Sequence, residues 1–138
     1  MIQAVKVLNV TSILLFTVVL LLIYGYLPIS VDVNIEGIDN LHKHRFFYYS
    51  LSAFIGVNII VRLILNFGFK SVSENVFAWM TSLIFILNLY LTFIVGFMGV
   101  WNNSNSISAS SYAYLNYLGP FFILIWVGGL IFLVVKKR

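Results

Sequence analysis

Four long apolar stretches divide this chain of 138 residues, and short polar segments separate them. The stretches cover residues 4–27, 46–66, 76–100 and 112–135. Each is close to the roughly 20 residues that an α-helix needs to cross the hydrocarbon core of a bilayer. The pattern therefore predicts an all-α, polytopic membrane protein. We expect a single domain over residues 1–138, with four transmembrane helices arranged as two antiparallel hairpins.

The third stretch carries its few polar and small residues on one side. At steps of seven, four, four and three residues lie Thr81, Asn88, Thr92, Gly96 and Gly99. This spacing places them near one face of a helix. Small residues let helices approach closely, and amide or hydroxyl side chains can bond across the contact. We therefore expect this helix to be central, with Asn88 and Thr92 facing other helices rather than lipid.

Small residues also predict close contacts on two other helices. Ser52 and Gly56 form a small-xxx-small pair in the second stretch, and Gly128 and Gly129 are adjacent in the fourth. Arg62 is the one charged residue that could lie within the hydrocarbon. Because it is near the end of its stretch, snorkelling to the interface accounts for it without a role in binding a ligand or ion.

The segment between the first two stretches is a hydrophilic loop, residues 28–45. Apolar and polar residues alternate over residues 29–35, which predicts a short strand, and Gly37 then marks a turn. The strand could add to the sheet edge of a partner protein or pack on its own bundle, and both remain open. A partner would be recognised by the polar side chains of this loop, namely Asp32, Glu36, Asp39, His42, His44 and Arg45.

The distribution of basic residues predicts the orientation. With both termini in the cytoplasm, the inner side holds Lys6, Arg62, Lys70, Lys136, Lys137 and Arg138. The outer side then holds only Lys43 and Arg45, beside acidic residues, which satisfies the positive-inside rule. We expect a multi-pass protein of the bacterial inner membrane with cytoplasmic N and C termini.

Composition limits the chemistry available to this chain. Hydrophobic residues make up 62% and charged residues 9%, and cysteine is absent, which excludes disulfides and thiolate sites. The net charge of +4 comes from residues at the ends of apolar stretches and forms no basic face for nucleic acid. We expect the lipid bilayer and other integral membrane proteins, or further copies of this chain, as partners.

Catalytic, metal and cofactor sites have little support. No apolar stretch holds an Asp or Glu, which weighs against an ion-coupled transporter, although Asn58, Asn88 and Thr92 could line a polar path. The only histidines, His42 and His44, lie in the loop and not where a membrane haem would need them. With Asp39 they could hold a transition metal, but basic neighbours make a solvated or partner-facing loop the default. We expect no enzyme activity, metal or cofactor.

Two segments of the chain carry a resemblance. The first predicted hairpin carries YGYLP followed by FFYYSLSAFIGVNIIVR, and the second carries ILNLYLTFIVGFMGVWNN followed by NYLGPFFILIWVG. Both hairpins resemble small four-span bacterial inner-membrane proteins. Those proteins have no established activity and often carry the genome label DNA topoisomerase IV, which the length and hydrophobicity of this chain contradict. The first loop, with its LP dipeptide and short strand, also resembles the loop of immunity-type membrane proteins. The match in residue identity does not continue beyond Leu27 and Pro28. The resemblance implies no functional residues.

Three functions fit these observations. The first is a non-enzymatic subunit or accessory factor of a larger inner-membrane complex. The second is a small transporter or channel that works as an oligomer. The third is an immunity-like membrane protein that masks a target.

Overall fold

A computed structural model describes residues 1–33, 37–69, 71–103 and 115–135. The described ranges contain helices α1 (Ile2–Tyr26), α2 (Lys43–Gly68), α3 (Glu74–Trp101) and α4 (Leu115–Val135), and strands β1 (Ser30–Val31) and β2 (Leu41–His42). All four helices are long and apolar enough to cross a membrane. The all-α fold with four spans is thus confirmed, and the chain is a multi-pass membrane protein.

Helix α3 lies at the centre and contacts each of the other three helices. It runs parallel to α1, since Asn9 meets Thr81 near one end of the bundle and Ile23 meets Gly99 near the other. Helices α2 and α4 run in the opposite direction. The central position expected for the third stretch is confirmed. Helix α1 contacts α3 far more extensively than it contacts α2, its partner in the first hairpin.

Three apolar clusters follow one another along the bundle. The middle cluster joins α1, α2 and α3 through Phe16, Leu20, Phe54 and Val95. The rings of Phe16 and Phe54 are stacked, with centroids 3.9 Å apart, and bring α1 and α2 into contact. The other two clusters lie at the ends of the bundle and contain, respectively, Leu27, Val31, Val33 and Phe46, and Leu65, Met80 and Ile84.

Helix α4 is attached to α3 by an exchange of indole hydrogen bonds. The Trp79 Nε1–H donates to the Trp126 carbonyl, and the Trp126 Nε1–H donates to the Trp79 carbonyl, each over 3.1 Å. Trp126 Nε1 also lies 3.1 Å from Ser82 Oγ. The Trp79 ring lies against Gly129, where a Cβ atom would overlap Trp79 Cζ2. Gly129 therefore makes the close helix contact that its sequence predicted.

Other small residues predicted to pack helices do not do so. A Cβ at Gly56, Gly96 or Gly128 would meet no atom within 4 Å, and Ser52 is exposed. In α2 the orientation is fixed by Phe54, which faces α3 and α1. Residues two positions away on a helix lie on nearly the opposite side, so Ser52 and Gly56 face outward. Close approach occurs at Gly99 against Ile23, on the predicted face of the third stretch, and at Gly119 against Tyr90, which was not predicted.

The first loop folds back on its own bundle. Strand β1 pairs antiparallel with β2, with Ser30 opposite His42 and Val31 opposite Leu41. Val31 is 0% exposed and Val33 9%, so both pack under the loop. Gly37 has φ 82°, which favours glycine. A strand forms where one was predicted, but it covers only Ser30–Val31 and not residues 29–35.

The alternation within the predicted strand does not extend to its start. Ile29 is 70% exposed instead of sharing the buried side with Val31 and Val33. It follows Pro28 in a bend and precedes β1, so the period-two pattern of a strand does not apply to it. The end of the predicted strand, with Glu36, lies outside the described residues.

Candidate functional site

A set of amide and hydroxyl side chains joins three helices near the middle of the bundle. The Asn58 Nδ2–H donates to Asn88 Oδ1 over 2.7 Å, and the Asn88 Nδ2–H donates to Asn58 Oδ1 over 3.2 Å. Asn88 Nδ2 also donates to Ser12 Oγ over 3.0 Å. We call Ser12, Asn58 and Asn88 the polar seam. It links α1, α2 and α3 at one point.

The groups around the polar seam are bonded as well. The Ser12 hydroxyl donates to the Asn9 carbonyl over 2.8 Å, and the Thr92 hydroxyl donates to the Asn88 carbonyl over 2.7 Å. Asn88 is 1% exposed and Thr92 7%, so both face other helices, as their spacing predicted. Buried polar groups cost free energy unless they are paired. The seam therefore acts as a cross-link between helices, with its polar atoms bonded to protein.

Asp32 of the loop is held by the end of α3. The Asp32 N–H donates to Asn102 Oδ1 over 2.7 Å, and Asn102 Nδ2 donates to the Asp32 carbonyl over 2.9 Å. The Trp101 Nε1–H donates to the Asp32 carboxylate over 3.1 Å. The backbone and carboxylate of Asp32 therefore anchor the loop to α3, and partner binding by Asp32 stays a prediction.

The other described residues of the predicted partner-binding set lie in the loop and the first turn of α2, and they stay at the surface. Asp39, His42, His44 and Arg45 are exposed. A 2.6 Å hydrogen bond joins Tyr24 Oη to His44 Nδ1, and His42 Nδ1 accepts the His44 backbone N–H over 3.3 Å at the start of α2. Within the described ranges, no group of three or more His, Asp or Glu side chains is placed to hold a metal ion.

A basic groove opens at the other end of the bundle, between α1, α2 and α3. Its cavity has a volume of about 370 Å³. Polar and charged lining residues are Lys6, Asn9, Arg62, Asn66 and Thr81. Asn58, Arg62 and Asn66 follow one another at intervals of four residues, so one face of α2 runs from the polar seam into the groove. The sequence pointed to Arg62, but it could not show that Lys6 and Asn9 lie beside it.

Comparisons with known proteins identify no relative of this chain. No protein-family model matches the chain, and neither a curated protein nor a solved structure matches it. The class of the protein therefore follows from its own fold, a multi-pass membrane protein with four helices.

Proposed function

We propose that this protein is a non-enzymatic small integral subunit or accessory factor of a larger protein complex in the bacterial inner membrane. The observation that carries the proposal is a fixed outer surface beside the bundle. This outer surface consists of exposed side chains of the first loop and the start of α2, namely Ile29, Ile38, Asp39, His42 and Arg45. Its partner would be another integral membrane protein.

The outer surface combines apolar and charged groups. Ile29 is 70% exposed and Ile38 50%, on a segment outside the four spans. Exposed apolar side chains rimmed by polar residues are typical of protein interaction sites. Asp39 and Arg45 supply both signs of charge, which would fix the orientation of a partner.

Anchoring of the loop favours binding. The bonds from Asp32 to Trp101 and Asn102, together with burial of Val31, hold the loop on the bundle before any partner arrives. A surface that is already ordered loses less conformational entropy on binding than a mobile loop does. Strand addition to β1 is less favoured, because β1 pairs with β2 and the backbone of the adjacent Asp32 bonds to the Asn102 side chain.

The polar seam argues against the transporter alternative. A polar path for a substrate needs side chains that can exchange protein partners for the substrate. Asn58, Asn88 and Ser12 instead bond to one another across three helices. Breaking this set would leave buried groups unpaired, at a cost of about 1–3 kcal/mol for each.

The orientation forms part of the proposal. Lys6 and Arg62 lie at one end of the bundle and Arg45 at the other, and the excess of basic residues is cytoplasmic in most membrane proteins. Single cysteines at Asn40 and Ser71, both described and exposed, test this. We expect an impermeant thiol reagent to label Asn40→Cys in intact cells and Ser71→Cys only after lysis. The opposite pattern would reverse the orientation.

Affinity purification from native membranes in mild detergent tests the function. We expect the chain to bring down a different integral membrane protein in a defined ratio. Ile38→Ser combined with Asp39→Lys should reduce the recovered partner by about tenfold, a loss of the size that interface hot spots give. Glu74→Lys changes an exposed acid at the opposite end and serves as the control.

The outcomes of this purification separate the candidate functions. Recovery of only further copies of this chain would overturn the subunit proposal and favour an oligomeric transporter or channel. Equal partner loss in the Glu74→Lys control would show that the outer surface is not the site of recognition.

A further inference from the structure

We infer that the basic groove binds the headgroup of an anionic phospholipid with hydroxyl groups, of the phosphatidylglycerol type. Two cations from different helices, Lys6 of α1 and Arg62 of α2, line the same cavity of about 370 Å³. Basic pockets between transmembrane helices are suited to anionic headgroups. This inference concerns a site separate from the outer surface and does not depend on the proposed function.

The two cations lie at matching depths. At a rise of about 1.5 Å per residue, Lys6 lies about 6 Å from the start of α1, and Arg62 about 9 Å from the end of α2. The start of α1 and the end of α2 lie on the same side of the bundle. Both distances therefore place the side chains near the boundary between hydrocarbon and headgroups. A lipid phosphate occupies that depth in a bilayer.

A buried acceptor in the groove lacks a partner. Asn9 is 6% exposed, and its Nδ2 donates to the Thr81 carbonyl over 3.3 Å. Its Oδ1 is buried and has no hydrogen-bond partner among the described residues. Such an atom is costly unless a donor reaches it. The phosphodiester group of a lipid has no hydrogen-bond donor at neutral pH, whereas the glycerol hydroxyls of a phosphatidylglycerol headgroup are donors.

The walls of the groove suit a lipid better than a free ion. Val10 and Leu65 line it together with the cations, so apolar surface continues from the charged rim toward the bilayer centre. Helices α1 and α2 have few backbone contacts with each other, so an acyl chain could lie against the apolar wall of the groove. The lining of this groove includes no acidic residue, and Glu74 lines a neighbouring pocket beyond Asn66 and Phe77.

Native mass spectrometry of the full chain in detergent tests this inference. The probes are dioleoyl phosphatidylglycerol, dioleoyl phosphatidylcholine and dioleoyl phosphatidylethanol, the last being an anionic lipid without headgroup hydroxyls. We expect phosphatidylglycerol to bind at least fivefold more tightly than phosphatidylcholine. Arg62→Gln should weaken phosphatidylglycerol binding by about fivefold, and Lys6→Gln with Arg62→Gln by about twenty-five-fold, since each cation near a membrane surface contributes about 1 kcal/mol.

Asn9→Leu isolates the role of the unpaired acceptor. In the unaltered chain, phosphatidylglycerol should bind about fivefold more tightly than phosphatidylethanol, the ratio that one hydrogen bond of about 1 kcal/mol gives. In Asn9→Leu this ratio should fall to about one, while the preference of both anionic lipids over phosphatidylcholine remains. A ratio unchanged by Asn9→Leu would refute the assignment of the hydroxyl contact.

Controls separate the groove from general charge effects. Arg45→Gln removes one positive charge at the opposite end of the bundle and should leave binding unchanged, whereas Arg62→Lys should retain it. Inorganic phosphate at millimolar concentration should not displace the lipid; displacement would show a site for free phosphate. Equal binding of phosphatidylglycerol and phosphatidylcholine to the unaltered chain, or equal losses in Arg45→Gln and Arg62→Gln, would overturn the inference.

Discussion

Helix α3 is joined to its neighbours in two different ways. Toward α1 and α2 the contact includes the polar seam, in which the Asn88 side chain bonds to Asn58 and Ser12. Toward α4 the contact consists of aromatic rings against glycines, with Trp79 on Gly129 and an exchange of indole hydrogen bonds with Trp126. One side is joined by side-chain amides, and the other by ring packing and bonds to backbone carbonyls.

The difference reflects the solvent in which the helices assemble. Lipid provides no hydrophobic force that draws apolar helices together, so association depends on close packing and on hydrogen bonds between helices. The side toward α1 and α2 has both. On the α4 side, glycine allows the backbone to approach a large ring. We therefore expect α4 to be sensitive to side-chain volume at the glycines, and the other side to depend on amide chemistry.

The largest effect is expected at Gly129. Gly129→Leu places a side chain where the Trp79 ring lies, and overpacking of this kind costs about 1–3 kcal/mol. The change should separate α4 from α3 and lower the detergent concentration at which the protein unfolds. Gly128→Leu is the matched control, because a Cβ there meets no atom within 4 Å. If both variants behave alike, the ring-on-glycine contact does not hold α4.

A smaller effect is expected from Trp126→Phe. This change keeps an aromatic ring but removes the indole N–H that reaches the Trp79 carbonyl and Ser82 Oγ. Hydrogen bonds between membrane helices contribute about 0.6 kcal/mol on average. We expect a loss of unfolding free energy of about that size, measured by titration with sodium dodecyl sulfate. A loss as large as that of Gly129→Leu would mean that the bonds, and not the packing, attach α4.

The smallest and most local effect is expected at Asp32. Asp32→Ala removes the carboxylate that accepts the Trp101 N–H, while the backbone bonds with Asn102 remain available. Hydrogen exchange in the peptide that contains β1 should become faster, and exchange in the helices should not change. Asp39→Ala is the control on the same loop. Faster exchange in both variants would contradict a specific anchor at Asp32.

The sequence predicts much of the fold, because hydrophobic length determines spans. It also predicts the α3 face that carries Asn88 and Thr92, since polar residues are rare enough in a span for their spacing to be informative. It fails for small residues, which are common in membrane helices. Ser52 and Gly56 match a packing motif but face outward, whereas Gly119 makes a close contact that no motif indicated.

Contacts between distant segments are the other part that spacing cannot give. Asp32 and Asn102 are 70 residues apart, so nothing local links the loop to the end of α3. The basic groove likewise requires the side-by-side placement of α1 and α2. Single residues such as Arg62 can be noticed in the sequence, but their neighbours depend on how each helix is rotated.

The central claim is that the polar seam of Ser12, Asn58 and Asn88 cross-links helices α1, α2 and α3. A double-mutant cycle on Asn58 and Asn88 tests it, with unfolding free energy measured by titration with sodium dodecyl sulfate. Asn88→Leu alone should cost about 1 kcal/mol, and the loss in the double variant should be smaller than the sum of the single losses by about 0.6 kcal/mol or more. Thr17→Val, at an exposed hydroxyl that bonds within its own helix, provides an additive control. Losses for Asn58 and Asn88 that simply add, as we expect for the control pair of Thr17→Val with Asn88→Leu, would contradict the claim.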